Sequence, residues 1–445
     1  MIRYDVAVVG GGFSGCMVAA NLAAVAVSDF SVAVFEPEAL GRGAAYGTKH
    51  PEHLLNTRAS HMSAFAEDSQ HFVRWLGSRA APADFVSRRL YGDYLAEIAE
   101  RALERPGFSH VRGRVTSVEP WGEEFVVETA SGSCSLARAV VLATGNPLPE
   151  DRFLPAAVVQ HPGYVADPWR FDYSRVGGRV LLIGSGLTAL DALVALEAGG
   201  HRGRVEVVSR HGRFPETHAD GVEPFGAVPA VDASGARAAL RSVRAHVREA
   251  RERGIDWRAV IDAIRPETEL LWRRLPGDER KRFERHLRGR WERHRHRAPA
   301  QIDAVRDRLI SRRRLACHRG EIVEAAGSRV VVARPDGERV TLHPDWIVNC
   351  TGAGRVERAL RELPLAGLYA RGLIEPEPLG YGIRADADFG VLNVRGRRVD
   401  RLWAIGPLVR GLRFEATAVP ELRAMAHTVA LTVYGELRSS LTLTG

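Results

Sequence analysis

Asp5–Glu36 reads DVAVVGGGFSGCMVAANLAAVAVSDFSVAVFE, and its reading decides the fold. Val6–Val9 is a β-branched and apolar run, suited to a parallel strand buried on both faces. Gly10, Gly12 and Gly15 occupy the glycine positions of GxGxxG, with Phe13 and Ser14 between the last two. The first glycine permits a tight turn, the second lets the backbone approach a pyrophosphate, and the third lets helix and strand pack closely. An apolar helix over Cys16–Val27 follows, and its N-terminus offers unpaired N–H groups to phosphate. Ser31–Phe35 is the second strand, and Glu36 at its end is placed to hold the ribose hydroxyls of an adenosine half. The stretch therefore predicts a dinucleotide site. A signal peptide would need a cationic start and a small-residue cleavage pattern. A membrane span would need ~20 uninterrupted apolar residues, and glycines and Asn21 interrupt this run.

The same order returns later in the chain. Arg179–Ile183 is a strand, Gly184-Ser185-Gly186-Leu187-Thr188-Ala189 is the GxGxxA variant, Leu190–Glu197 continues as a helix, and Val205–Val208 is a second strand. Each fingerprint is followed by a small β-meander ending in x-Thr-Gly. His110–Leu142 leads to Ala143-Thr144-Gly145. Arg329–Ala333, Arg339–Leu342 and Trp346–Val348 lead to Asn349-Cys350-Thr351-Gly352. A repeated nucleotide-binding unit is far more specific than either glycine motif alone. The fold class is therefore α/β, with two Rossmann-like units for FAD and NAD(P). The expected layout is 1–165 for the first unit, 175–345 for the second, and 346–445 as a return to the first. An arginine-rich helical insertion over about 234–314 fills the longer second interval.

The second fingerprint lacks a carboxylate where the first has Glu36. Ser209-Arg210-His211 stands there, and arginine suits a 2′-phosphate, unless Arg210 only faces solvent. Gly41–Gly47 and His53–Ser63 are small and polar; they read either as surface loops or as a loop returning along the cofactor, Asn56 included. His71–Leu76 and Tyr91–Leu103 have helical patterning, and Pro147–Arg175 reads as a connector. A helical run over Val419–Leu431 follows Gly406.

With 445 residues, two or three domains are expected. The net charge of +8 is mostly arginine, concentrated between Arg273 and Arg314. That stretch is either a solvated helical face or a surface for an anionic ligand; no zinc-finger spacing or RNA-binding signature points to nucleic acid. Cys16, Cys134, Cys317 and Cys350 are far apart, so there is no CxxC. That pattern points to a reducing cytoplasm and away from a disulfide reductase.

GRGAAYG at Gly41, HLLNTRASHMSAF at His53, GSGLTALD at Gly184, NCTGAG at Asn349 and GPLVRG at Gly406 extend this picture. With the first fingerprint, they resemble a bacterial family of FAD/NAD(P)-binding proteins over nearly the whole chain. Its branches include FAD-dependent urate hydroxylase and an aspartate N-monooxygenase, and the basic stretch Trp291–Arg297 resembles the family's own. The resemblance implies a flavin monooxygenase that consumes NAD(P)H and O2 and hydroxylates a small polar metabolite. Urate, giving 5-hydroxyisourate, is the first candidate. An amine N-hydroxylase with an aspartate-like substrate, or an NAD(P)H reductase or oxidase without oxygen insertion, stands as the alternative. A planar anion such as urate would need arginine's planar fork. Arg295 and Arg297 are the candidates, with His61 and His296 for proton transfer. The cofactor contacts expected are Gly10, Gly12, Phe13, Ser14, Gly15, Glu36, Asn56, Gly145 and Gly406 for FAD. For the nicotinamide coenzyme they are Gly184, Gly186, Ser209 and Arg210. Neither a metal, a membrane nor a nucleic acid partner is expected.

Overall fold

A computed structural model describes residues 1–442 of the chain. The first strands are β1 (Ile2–Val9), β2 (Val32–Phe35), β3 (Phe108–Val111), β4 (Val115–Trp121), β5 (Glu124–Thr129) and β6 (Cys134–Leu142). Next come β7 (Tyr164–Val165), β8 (Val180–Ile183), β9 (Val205–Ser209), β10 (Leu315–Arg319), β11 (Glu321–Ala326), β12 (Arg329–Ala333), β13 (Arg339–Leu342) and β14 (Trp346–Asn349). The last are β15 (Gly390–Leu392) and β16 (Arg398–Ala404). Two compact units result: residues 1–51, 57–147 and 353–445 form one, and residues 52–56 with 148–352 form the other.

The first unit is built on the parallel order β16–β6–β1–β2–β3. One edge of β6 pairs with β1 along almost its whole length. The other edge takes antiparallel β5 at residues 134–137 and parallel β16 at residues 140–142. Val6–Val9 are no more than 3% exposed, because sheet neighbours and packed helices cover the strand from all sides. The fingerprint helix Phe13–Val25 packs on Arg88–Leu103 and on the last helix, Val419–Thr442. Arg105 donates to the carbonyls of Ala23 and Ala26 and so closes the C-terminal end of the fingerprint helix. Asp5 fixes the opposite end of β1: it accepts from Ser31 N at 2.8 Å and pairs with Arg138 at 2.8 Å.

The second unit repeats the plan. Its parallel sheet runs β10–β9–β8–β14–β7, so β14–β8–β9–β10 copies β6–β1–β2–β3. A meander again precedes the return strand, here β11–β12–β13. Helix Leu187–Ala198 follows β8 and is buried along most of its length. Helix Ala300–Ser311 packs against it and feeds β10; Ile302, Leu309 and Leu315 join the core around Leu190, Leu193 and Val207.

Three expected boundaries are corrected. The stretch 148–165 belongs to the second unit, because Tyr164 and Val165 pair with Ile347 and Val348 at that sheet's edge. Residues 346–352 also belong there, since β14 lies between β8 and β7. The insertion proper runs from helix Ala236–Glu252 to helix Arg288–Arg295; Ala300–Ser311 is the crossover helix of the nucleotide unit. Part of the insertion has its own small core of Ala250, Ala259, Val260 and Ile264 against Phe225. No helix among the described residues is long and apolar enough to cross a membrane.

Candidate functional site

The two fingerprint turns have the same backbone geometry. Gly10 has φ +109° and Gly184 φ +104°, a region that favours glycine. A Cβ at Gly10 would overlap the carbonyl oxygen of Ala143, and a Cβ at Gly184 that of Cys350. Gly10 N–H donates to Phe35 O at 2.9 Å, and Gly184 N–H to Val208 O at 2.8 Å. Ala143 N–H donates to Val9 O at 2.9 Å, and Cys350 N–H to Ile183 O at 2.8 Å. Both x-Thr-Gly segments are thus clamped beside their fingerprints, and each ends in a glycine of positive φ with open space around it: Gly145 at +78° and Gly352 at +83°. Gly12 and Gly186 are the helix N-caps, with φ,ψ of −72°,−164° and −80°,−169°.

The first cradle is open where a pyrophosphate would sit. Around Gly12, a Cβ would meet nothing closer than Gly43 Cα at 3.5 Å. Helical geometry leaves the first-turn N–H groups of Phe13, Ser14 and Gly15 for an anion. At Gly15 a Cβ would overlap Gly10 O, so glycine there is demanded by strand–helix packing. Glu36 is held by Gly11 N–H at 2.9 Å and Glu38 N–H at 3.3 Å, which orients its carboxylate at the end of β2. Beyond it, a cavity of about 360 Å³ is lined by Arg42, Lys49, Arg89, Thr48 and Glu38 among others. The Gly41 loop does return to the fingerprint: Gly41 N–H donates to Gly11 O at 2.9 Å. Gly406, at φ +75°, sits so close to buried Ser14 that a Cβ would lie 2.8 Å from the serine Oγ. The late segment Gly406–Val409 therefore abuts the fingerprint helix within the first unit. These residues fit an FAD: an open pyrophosphate turn, a helix N-terminus and a ribose-binding acid.

The second cradle is tied differently. Ser185 Oγ lies 2.7 Å from Arg213 O and 2.8 Å from Ser209 Oγ. Ser185 is the donor toward both oxygens, and because a hydroxyl carries one proton it serves one of them at a time. Ser209 Oγ in turn accepts Gly212 N–H at 3.0 Å. Arg210 and Arg213 are exposed on this loop, and Arg319 joins from the end of β10, which pairs with Ser209. His211 has its pKa lowered by burial first, then by Arg210, Arg319, Arg290 and Arg213. The sequence singles out Arg210, with His211 beside it, but not Arg319, Arg213 or Arg290. The signal for Arg319 is its place at a strand end, hidden because β10 itself escaped notice.

The four candidate catalytic residues divide between the units. His61 is exposed in the first unit, its Nδ1 3.0 Å from Ser60 Oγ. Arg295, His296 and Arg297 are in the second, at the end of helix Arg288–Arg295. His296 Nε2 pairs with Glu292 at 3.2 Å. Arg297 is only 5% exposed and is held by Asp262 at 2.6 and 2.8 Å; burial lowers its pKa. Its guanidinium is thus already engaged in the insertion's own packing. Asn56, expected beside FAD, groups with the second unit, where its carbonyl oxygen lies 3.0 Å from His218 Nε2. Neighbouring His53 is 2% exposed and 3.1 Å from Asp191 O. No group of three His, Cys, Asp or Glu among the described residues is placed to hold a metal.

Comparison with known proteins agrees with this geometry. Residues 7–147 match a family model described as FAD-NAD(P)-binding. A search of the curated proteins finds no match. Among solved structures, the chain is similar to an ornithine hydroxylase from Pseudomonas aeruginosa at TM-score 0.66 and 16% identity, covering 98% of this chain and 100% of that one. It is similar to an FAD-bound cadaverine monooxygenase from Erwinia amylovora at 0.64 and 13%, covering 98% and 95%. It is also similar to a bacillithiol disulfide reductase from Staphylococcus aureus at 0.59 and 12%, covering 98% and 99%. At these identities the likeness establishes the fold: α/β with two Rossmann-like dinucleotide units, the first of them within an FAD-NAD(P)-binding region.

Proposed function

We propose that the chain is an FAD-dependent oxidoreductase that takes electrons from NAD(P)H and hydroxylates the nitrogen of a small amine with O2. The observation that carries this reading is the duplicated turn: two dinucleotide cradles of matching geometry in one chain. FAD in the first would supply the redox chemistry, accepting hydride equivalents and reacting with oxygen. The protein's part is to hold it. The Gly12 turn and the first-turn N–H groups would take the pyrophosphate, and Glu36 the ribose. The balanced reaction consumes NAD(P)H, a proton, O2 and an amine, and yields NAD(P)+, a hydroxylamine and water.

Amines take first place over urate because monooxygenases of similar fold include ones named for ornithine and cadaverine. The urate reading rests on sequence resemblance alone. A second reading, an NAD(P)H-dependent reductase or oxidase without oxygen insertion, draws on the likeness to the bacillithiol disulfide reductases. Thiol exchange itself has little support here. Cys16 and Cys350 are buried with their thiols pushed up, Cys16 to about 12; the Cys317 thiol is also pushed up, to about 11, and Cys134 stands apart from the other three in sequence, while exchange needs a thiolate.

The test has two stages. Anaerobic NADPH or NADH should bleach the flavin absorbance. In air, a panel of amino acids, diamines and urate should then be screened for stimulated coenzyme consumption, with products read by a mass gain of one oxygen from labelled O2. An amine product carrying the label supports the proposal. Coenzyme oxidation that yields only peroxide across the panel favours the second reading. Urate oxygenation would restore the urate reading.

A further inference from the structure

The arginines of the second unit differ in one respect. Several around the insertion are ion-paired: Arg288 with Glu284, Arg293 with Glu216, Arg297 with Asp262, Arg306 with Asp303. Arg210, Arg213, Arg290 and Arg319 are exposed, and among the described residues none of them is ion-paired. Yet these four gather about the one loop that carries His211. Arg210 and Arg213 flank His211 in sequence. Arg319 lies against the same loop, since a Cβ at Gly212 would fall 2.9 Å from its Cβ, and Gly320 N–H donates to Ser209 O at 3.0 Å. Arg290 comes from the insertion, whose Gly289 backs directly onto the His211 ring: a Cβ there would lie 3.3 Å from Cδ2 and Nε2. Four arginines set about one loop, none of them ion-paired among the described residues, repel one another, and burial followed by these arginines disfavours a charged His211. A site of that kind gains most from a multiply charged anion.

We propose that Arg210, Arg213, Arg319 and the insertion's Arg290 form a phosphate clamp around His211 that selects the 2′-phosphorylated coenzyme, so that the helical insertion is part of the coenzyme-specificity machinery. The inference rests on the reading that the second unit binds a nicotinamide coenzyme. Its place supports it: the loop after β9 corresponds to the Glu36 position of the first cradle, where the adenosine ribose is recognised. Arg319 and Arg290 come from elements distant in sequence, so the clamp is a product of the tertiary fold.

The probes are adenosine 2′,5′-bisphosphate and 5′-AMP, titrated by calorimetry against the flavin-loaded protein, with NADPH and NADH in parallel. The parent should prefer the bisphosphate at least tenfold, and the preference should shrink with added salt. A charged hydrogen bond contributes about one to two powers of ten, so Arg319→Ala and Arg290→Ala should each cut the preference roughly tenfold and leave 5′-AMP and NADH unchanged. Arg319→Gln and Arg290→Gln, which keep bulk, should behave alike; all four positions are exposed, so melting curves should match the parent. Equal binding of the two probes by the parent overturns the clamp while NADH binding keeps the coenzyme reading. A preference that survives both the Arg319 and Arg290 substitutions also overturns it, leaving Arg210 as an ordinary strand-end contact. Failure of every nucleotide to bind overturns both the clamp and the reading beneath it.

Discussion

Gly12→Val separates the cofactor's demands from those of the fold. Gly12 has φ −72° and ψ −164°, values open to valine. A Cβ there would meet only Gly43 Cα, at 3.5 Å, an ordinary contact. The apoprotein should therefore fold as the parent does, with the same circular dichroism and urea midpoint. What the side chain would meet is the pyrophosphate. Overpacking against a rigid partner costs about 1–3 kcal/mol, so FAD affinity should fall by about fivefold to more than a hundredfold. The assay is the ratio of flavin to protein absorbance on purification, followed by fluorescence titration of the apoprotein with FAD. Full flavin occupancy in a well-folded Gly12→Val protein would refute the placement of the pyrophosphate at this turn.

Three further outcomes follow from the same geometry. Gly15→Ala should lower soluble yield and stability by roughly 1–3 kcal/mol, since its Cβ would collide with Gly10 O, whereas Ala189→Gly at the corresponding place should cost only about 1 kcal/mol; urea denaturation of the pair decides. Arg297→Ala should destabilise the protein by on the order of 1–3 kcal/mol, less than for a fully buried pair because Asp262 is half exposed, with no change in apparent substrate affinity. An affinity loss without a stability loss would return Arg297 to the substrate site. Burial pushes the Asp303 carboxyl up to about 6, from below 4 in the unfolded chain. The folded state then holds a proton the unfolded state has lost, so this stabilisation is present at low pH and fades as pH rises through 4 to 6. Asp303→Asn should flatten the urea midpoint across that window.

Much of this protein was legible in its sequence because the decisive features are local. Strand, glycine turn, helix and strand-end acid all fall within Asp5–Glu36, and their roles depend on near neighbours along the chain. The repeat was legible for the same reason, down to Ala143 and Cys350 closing the two turns. Strands without an apolar signature escaped. β7 has two residues in a proline-rich connector. β10 carries His318, buried against Glu206 at 2.6 Å, and that polar pair masks the alternation. β11 is largely solvent-facing, with Glu321 and Glu324 along it.

The candidate catalytic residues show what composition alone leaves open. Arginines at 295 and 297 look alike in sequence, but only the fold buries Arg297 against Asp262, because a charge leaves water only where a partner from another element meets it. The sequence by itself determined the fold class, the two cradles and the absence of an acid after β9. The tertiary structure decided which arginines are neutralised and which stand together unpaired, because Arg290 and Arg319 reach His211 only once the insertion and β10 have folded beside β9.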